Sequence, residues 1–241
     1  MSRSNPQENG TPNPATRWFE WNGEDGVIRY YDKEKQERVD VGHDFGFVLL
    51  DELGSVTGWD DASGSRIYSN EVKDTRQDVL VVKSFKGGPL VEGLYKAIKD
   101  RVNSLGGSFT TNCYIAYKNG HGELSIGSLR LKGAALGAWM DFRHEHRAEL
   151  YSKGVRIVGV EEGKKGRIVF RVPVFKIVDL TEETNNAAVA LDKQLQAYLA
   201  TYLKKNKRDQ AEAVAAHVGD EEVAWDDEQP VPPITDDDIP F

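Results

Sequence analysis

Runs with strand character follow one another along most of this chain, and helical patterns do not alternate with them. That order constrains the fold more than any composition figure. "GVIRYYD" (26–32) is a short β-rich run, and residues 44–59, "DFGFVLLDELGSVTGW", form a strand with glycines at its bends. "QDVLVVKSF" (77–85) is a third strand, ended by Gly87, Gly88 and Pro89. Leu90, Leu94, Ile98 and Val102 then recur at helical spacing, which predicts a helix over 89–106 with Pro89 in its first turn and Gly106 or Gly107 at its end. Alternation returns over 108–118, an Asn-Gly connection spans 118–123, and a strand follows over 124–132. A second helix is expected at 134–150. After it "GVRIVGVEE" and "RIVFRVPVFKIVD" form a hairpin around "GKKGR", and Pro173 marks the second of these as an edge strand or a bulge. A last amphipathic helix over 184–206 carries Ala188, Leu191, Leu195, Tyr198, Leu199 and Tyr202 on its apolar side.

Without strand–helix alternation a doubly wound parallel sheet is disfavoured. The pattern predicts a mostly β fold with helical additions, a small, partly open β-barrel. The OB-fold is such a barrel and carries a helix in mid-chain, the place that 89–106 would take. Residues 1–16 are polar and rich in Pro and Asn, and are expected to be disordered. The folded domain is expected at 17–208.

Residues 209–241 contain 11 acidic side chains and no Lys or Arg. Set aside, they leave 31 basic against 28 acidic residues, so a formal net charge of −8 hides a weakly basic body and an acidic tail. The tail lacks periodicity and carries "QPVPPITDDD", so it is expected to be disordered. The single cysteine, Cys113, excludes an intrachain disulfide and a cysteine-based metal site. His144 and His146 are two positions apart, which sets them on different faces of a helix. With no long apolar run and no signal-peptide pattern, the expectation is a cytosolic protein that takes no cofactor, no small-molecule substrate and no membrane partner.

Catalytic motifs do not emerge. There is no Walker A sequence, no G-x-S-x-G and no H-E-x-x-H, and "DDASGSR" (60–66) lacks the alternating acidic ligands of a calcium loop. The expectation is a protein that is not an enzyme. More informative are strands that pair cations with aromatic rings. Single-stranded nucleic acid offers a charged backbone, which Lys and Arg neutralise, and exposed base faces, on which rings stack. Arg29 and Tyr31 share a strand face, as do Lys83 and Phe85 with Lys86 beside them. Tyr114 shares a face with Lys118, Arg130 with Lys132, and Arg167 with Arg171 and Phe175, with Lys164 and Lys165 in the turn before them. Strand aromatics are commonly core residues, so only their repetition beside cations on several strands points to nucleic acid. Trp139 and Phe142 fall in an amphipathic helix pattern and are expected in the core.

The last six residues, Asp236, Asp237, Asp238, Ile239, Pro240 and Phe241, sharpen this. "DDDIPF" resembles the C-terminal tip of bacterial single-stranded DNA-binding proteins, in which an acidic tail ends in that sequence and docks into basic, hydrophobic pockets on replication and repair partners. The physics agrees: a terminal Phe fills an apolar pocket, its carboxylate meets Lys or Arg, and the aspartates speed encounter with a basic surface. The body does not align with the usual bacterial protein, and the combination is similar to bacteriophage members of the class. The resemblance implies an OB-fold, single-stranded DNA bound without sequence specificity in replication, recombination and repair, and recruitment of partner enzymes in the host cytoplasm. It assigns no individual DNA contact. The alternative is an adaptor or recombination accessory protein that docks by the tip without coating DNA.

Overall fold

The structure, a computed structural model, describes residues 12–218, with side chains as far as Lys207. The tip Asp236–Phe241 lies outside the described residues. Eleven strands form one open, mostly antiparallel sheet: β1 (Arg17–Asn22), β2 (Val27–Asp32), β3 (Glu37–Gly42), β4 (Phe45–Asp60), β5 (Ser65–Ser69), β6 (Leu80–Ser84), β7 (Gly88–Gly93), β8 (Gly107–Lys118), β9 (Leu124–Lys132), β10 (Gly154–Lys165) and β11 (Ile168–Val178). Helices α1 (Tyr95–Ser104), α2 (Gly133–Glu145) and α3 (Glu182–Val218) pack on it. The described fold is thus mostly β with a few helices. Strand order is β3-β2-β1-β9-β8-β4-β5-β6-β7, and the β10–β11 hairpin joins through β4. The β1–β9 pairing is parallel, Arg17 beside Gly127 and Glu20 beside Arg130.

β4 organises the sheet because its 16 residues serve different neighbours along their length. It pairs with β8 from Phe47 to Gly58, with β10 at Phe45–Phe47 and with β5 at Thr57–Asp60. The glycines read as bends have a steric role. A Cβ on Gly58 would lie 2.2 Å from the Gly106 carbonyl oxygen, so β4 can cross the α1–β8 corner only without a side chain there.

Among the described residues three apolar clusters form the core. The first joins Phe19, Phe47, Ile115, Tyr117 and Leu129 to Trp139 and Phe142 of α2, so both α2 aromatics are core residues as expected. The second places Leu195, Tyr198 and Leu199 of α3 over Leu53, Tyr114 and Ile126. The third sets Ile98 and Val102 of α1 against Val56, Ile67, Leu80 and Val82.

Several expectations are corrected. The helix predicted over 89–106 is shorter. Gly88 has φ +77°, which closes a hairpin, and Pro89 pairs with Lys83 on edge strand β7, where a missing N–H is harmless. Lys164 and Lys165 lie in β10, paired with Val169 and Ile168, and the turn contains only Gly166 and Arg167. The packed body begins before residue 17: Ala15 is buried and the Thr16 N–H donates to the Ile126 carbonyl at 2.8 Å. α3 runs past the expected end at 206 and past the boundary at 208. Pro173 behaves as expected, since β11 pairs with β10 alone.

Candidate nucleic-acid interface

Side chains on a strand alternate between faces, so cross-strand register says which residues share a surface. One row crosses six strands: Asp40–Arg29–Glu20–Arg130–Asn112–Leu53. A second pairs Arg38 with Tyr31, and Trp18 with Ser128 and then Tyr114. Farther along the same face of β4, Thr57 pairs with Tyr68, Tyr68 with Lys83, and Trp59 with Arg66. The opposite face of these strands is the apolar one that α1 and α2 cover.

α3 divides the polar face. It covers Leu53, Tyr114 and Ile126 and leaves the rest open. A groove of about 510 Å³ is lined by Trp18, Arg29, Tyr31, Arg38, Arg66 and Arg130, with Phe19, Glu20, Tyr30 and Ser128. Arg66 stands four strands from β1 in the sheet order, ~19 Å in a flat sheet, yet lines the same groove, so the sheet curls. Trp18, Tyr31, Trp59, Tyr68 and Phe85 all expose large parts of their rings, Phe85 as much as 77%. Lys33 Nζ lies 5.3 Å from the Trp18 ring centroid, a cation already seated on that ring.

The structure brings some of the expected residues together and disperses others. Arg29, Tyr31 and Arg130 line the groove, and Lys132 is exposed at the end of the same strand as Arg130. Arg29 is engaged with Asp40 at 2.5 Å and Asp25 at 2.6 Å, and those carboxylates hold its guanidinium pKa above the ordinary value. Lys83, Phe85 and Lys86 are exposed beside Tyr68 and Arg66. Lys118 is exposed at the end of β8. Lys164, Lys165 and Arg167 are exposed on the β10–β11 hairpin and do not line the groove.

Tyr114, Arg171 and Phe175 are not placed as expected. Tyr114 is 1% exposed, because α3 covers its ring, and its hydroxyl donates to Glu71 Oε2 at 2.7 Å. Burial and the Glu71 charge raise its pKa strongly. No base can stack there. Arg171 is only partly exposed and fastens the hairpin to the β1–β2 turn: its N–H donates to the Gly23 carbonyl at 2.6 Å, its guanidinium to the Glu24 carbonyl, and its own carbonyl accepts Trp21 Nε1–H at 2.9 Å. Phe175, expected on its face, packs against Trp139 and Phe142 in the core.

Trp18, Arg38, Arg66 and Tyr68 escape a reading strand by strand, and Trp59, inside the run read as a strand, meets its cation only across the sheet at Arg66. β1, β3 and β5 are short and flanked by polar turns, so their alternation is too brief to register. "RWFEW" at 17–21 does carry cation–aromatic alternation that a shorter window would find.

The far end of the face rests on a serine knot. Asp60 Oδ2 accepts the Ser63 hydroxyl at 2.5 Å, and the Ser63, Ser65 and Ser84 hydroxyls lie within 2.6–2.8 Å of one another. Ser65 Oγ also accepts the Lys86 N–H at 3.0 Å, so the turn bearing Phe85 is fixed from below. Hydrogen bonds from Ser63 and Ser84 hold the Asp60 pKa below its ordinary value, against the effect of burial.

The surface can neutralise a polyanion and stack planar rings, a chemistry indifferent to base sequence. Among the described residues no group of His, Cys, Asp or Glu side chains could hold a metal ion, and no helix is long and apolar enough to cross a membrane. No family model, no curated protein and no solved structure matches this chain.

Proposed function

We propose that this protein binds single-stranded DNA without sequence specificity, on an OB-like curled sheet, and recruits replication and repair proteins through its terminal Asp236–Phe241. The observation that carries this is the open polar face. Trp18, Tyr31, Trp59, Tyr68 and Phe85 stand on it among Arg38, Arg66, Lys83 and Arg130. Duplex DNA hides its base faces, so rings on a curled surface favour single strands. The sheet's curl and the mid-chain helix α1 support the OB-like reading. The tip supports recruitment by its likeness to the bacterial docking sequence.

The test is titration of fluorescent oligo-dT and of a duplex of equal length across a salt series. Binding to oligo-dT should be tighter. Four engaged cations give log K against log salt a slope of about −3. No binding to oligo-dT at low salt would overturn the proposal and leave the adaptor reading.

A further inference from the structure

Arg130 is held from beneath as well as facing the groove. Its Nε lies 3.4 Å from Asn112 Oδ1. The Asn112 amide nitrogen lies 2.5 Å from Glu71 Oε1 and 3.0 Å from Ser55 Oγ. An ionised carboxylate only accepts hydrogen bonds, so the amide nitrogen must face Glu71 and the amide oxygen must turn toward Arg130. Glu71 is itself fixed on several sides. The Tyr114 hydroxyl donates to its other oxygen, its backbone N–H donates to the Tyr202 hydroxyl at 2.9 Å, and its carbonyl accepts Asn206 Nδ2–H at 3.2 Å.

We infer that Glu71 is a positioning residue for Arg130, acting through the orientation it imposes on Asn112. With Nε engaged below, the two terminal nitrogens of Arg130 are left to face the groove. Burial holds the Glu71 pKa above its ordinary value, and the bonds from Tyr114 and Asn112 and the Arg130 charge offset only part of that rise. The inference rests on the groove being a nucleic-acid site.

Glu71→Gln keeps size but offers both N–H and C=O, so Asn112 no longer has one imposed orientation. In the full chain it should weaken oligo-dT binding about three- to tenfold at low salt, the equivalent of one hydrogen bond. The salt slope should become shallower by about 0.7, one phosphate contact. In an Arg130→Ala background the same change should have no further effect. Combining Glu71→Gln with Asn112→Asp puts a carboxylate acceptor under Arg130 and should restore affinity to within about twofold of the unaltered chain. A Glu71→Gln protein with unaltered affinity and slope would overturn the inference. So would equal weakening with and without Arg130, or failure of the double variant to recover. If Glu71→Gln alone does not fold, the double variant carries the test, and impaired binding by it in folded form overturns the inference. Absence of oligo-dT binding by the unaltered chain would instead remove the groove reading itself.

Discussion

The Tyr202 hydroxyl accepts the backbone N–H of Glu71 at 2.9 Å, although 131 positions separate the two residues. This bond fastens the last helix to the β5–β6 connection, and Lys207 adds an ion pair to Asp78 at 3.2 Å. α3 is therefore part of the folded body, an apolar lid on one end of the sheet face whose other end stays open.

Removing the lid's apolar grip should cost stability. Leu195 is fully buried against the sheet, and Leu195→Ala should destabilise the protein by about 2–5 kcal/mol, measured by urea denaturation. A change under 1 kcal/mol would mean that α3 contributes little to the core.

Exposed and buried rings should respond in opposite ways. Trp18→Ala and Tyr31→Ala should each weaken oligo-dT binding by about 1–3 kcal/mol with little loss of stability. Tyr114→Ala should lower the denaturation midpoint, because the ring and its bond to Glu71 are internal. Trp18→Ala and Tyr31→Ala proteins that unfold early yet bind normally when folded would reassign those rings to structure.

The serine knot sets an acid limit. The Asp60 pKa is depressed in the fold, so its stabilisation is complete above the ordinary value of 3.8 and is lost as pH falls through the folded value. Asp60→Asn should lower stability at neutral pH and flatten the fall on the acid side, read as the urea midpoint against pH. A variant that keeps the full acid slope would place the titrating group elsewhere.

Gly58→Ala should be costly although its backbone φ is not in the left-handed region. The added methyl meets the Gly106 carbonyl and the Gly107 Cα at 2.7 Å, both backbone atoms. A loss of about 2–3 kcal/mol by thermal or chemical melting is expected. An unchanged midpoint would show that the α1–β8 corner gives way easily.

Deletion of residues 219–241 removes nine carboxylates and leaves α3 whole. If those charges compete with DNA for the basic face, oligo-dT affinity should rise at low salt and converge with the full chain at high salt. Unchanged or weaker affinity at low salt would rule the competition out.

Long periodic segments were legible in the sequence. The strand over 124–132 ends where β9 ends, and Leu195, Tyr198 and Leu199 fall on the buried side of α3 as their spacing predicts. What hid was decided by tertiary contacts. Alternation assigns Tyr114 a side of β8 but cannot say that a helix 80 residues later covers it. Gly87-Gly88-Pro89 satisfies the rules for a helix start and for a hairpin, and the pairing of β6 with β7 selects the hairpin. The groove as a whole escaped because its six main side chains come from five strands, four of them only five or six residues long.

The parallel pairing of β1 with β9 sets a clock on folding. Thr16 and Ile126, bonded at the edge of that pairing, are 110 positions apart. At about 5–20 residues per second, β1 leaves the ribosome on the order of 5–20 s before its partner exists. For that interval Phe19 and Trp21 have no sheet to enter beyond the β2 side of their own hairpin. Such non-local closure slows folding, and it exposes an apolar edge to chaperones and to other nascent chains before the native neighbour arrives.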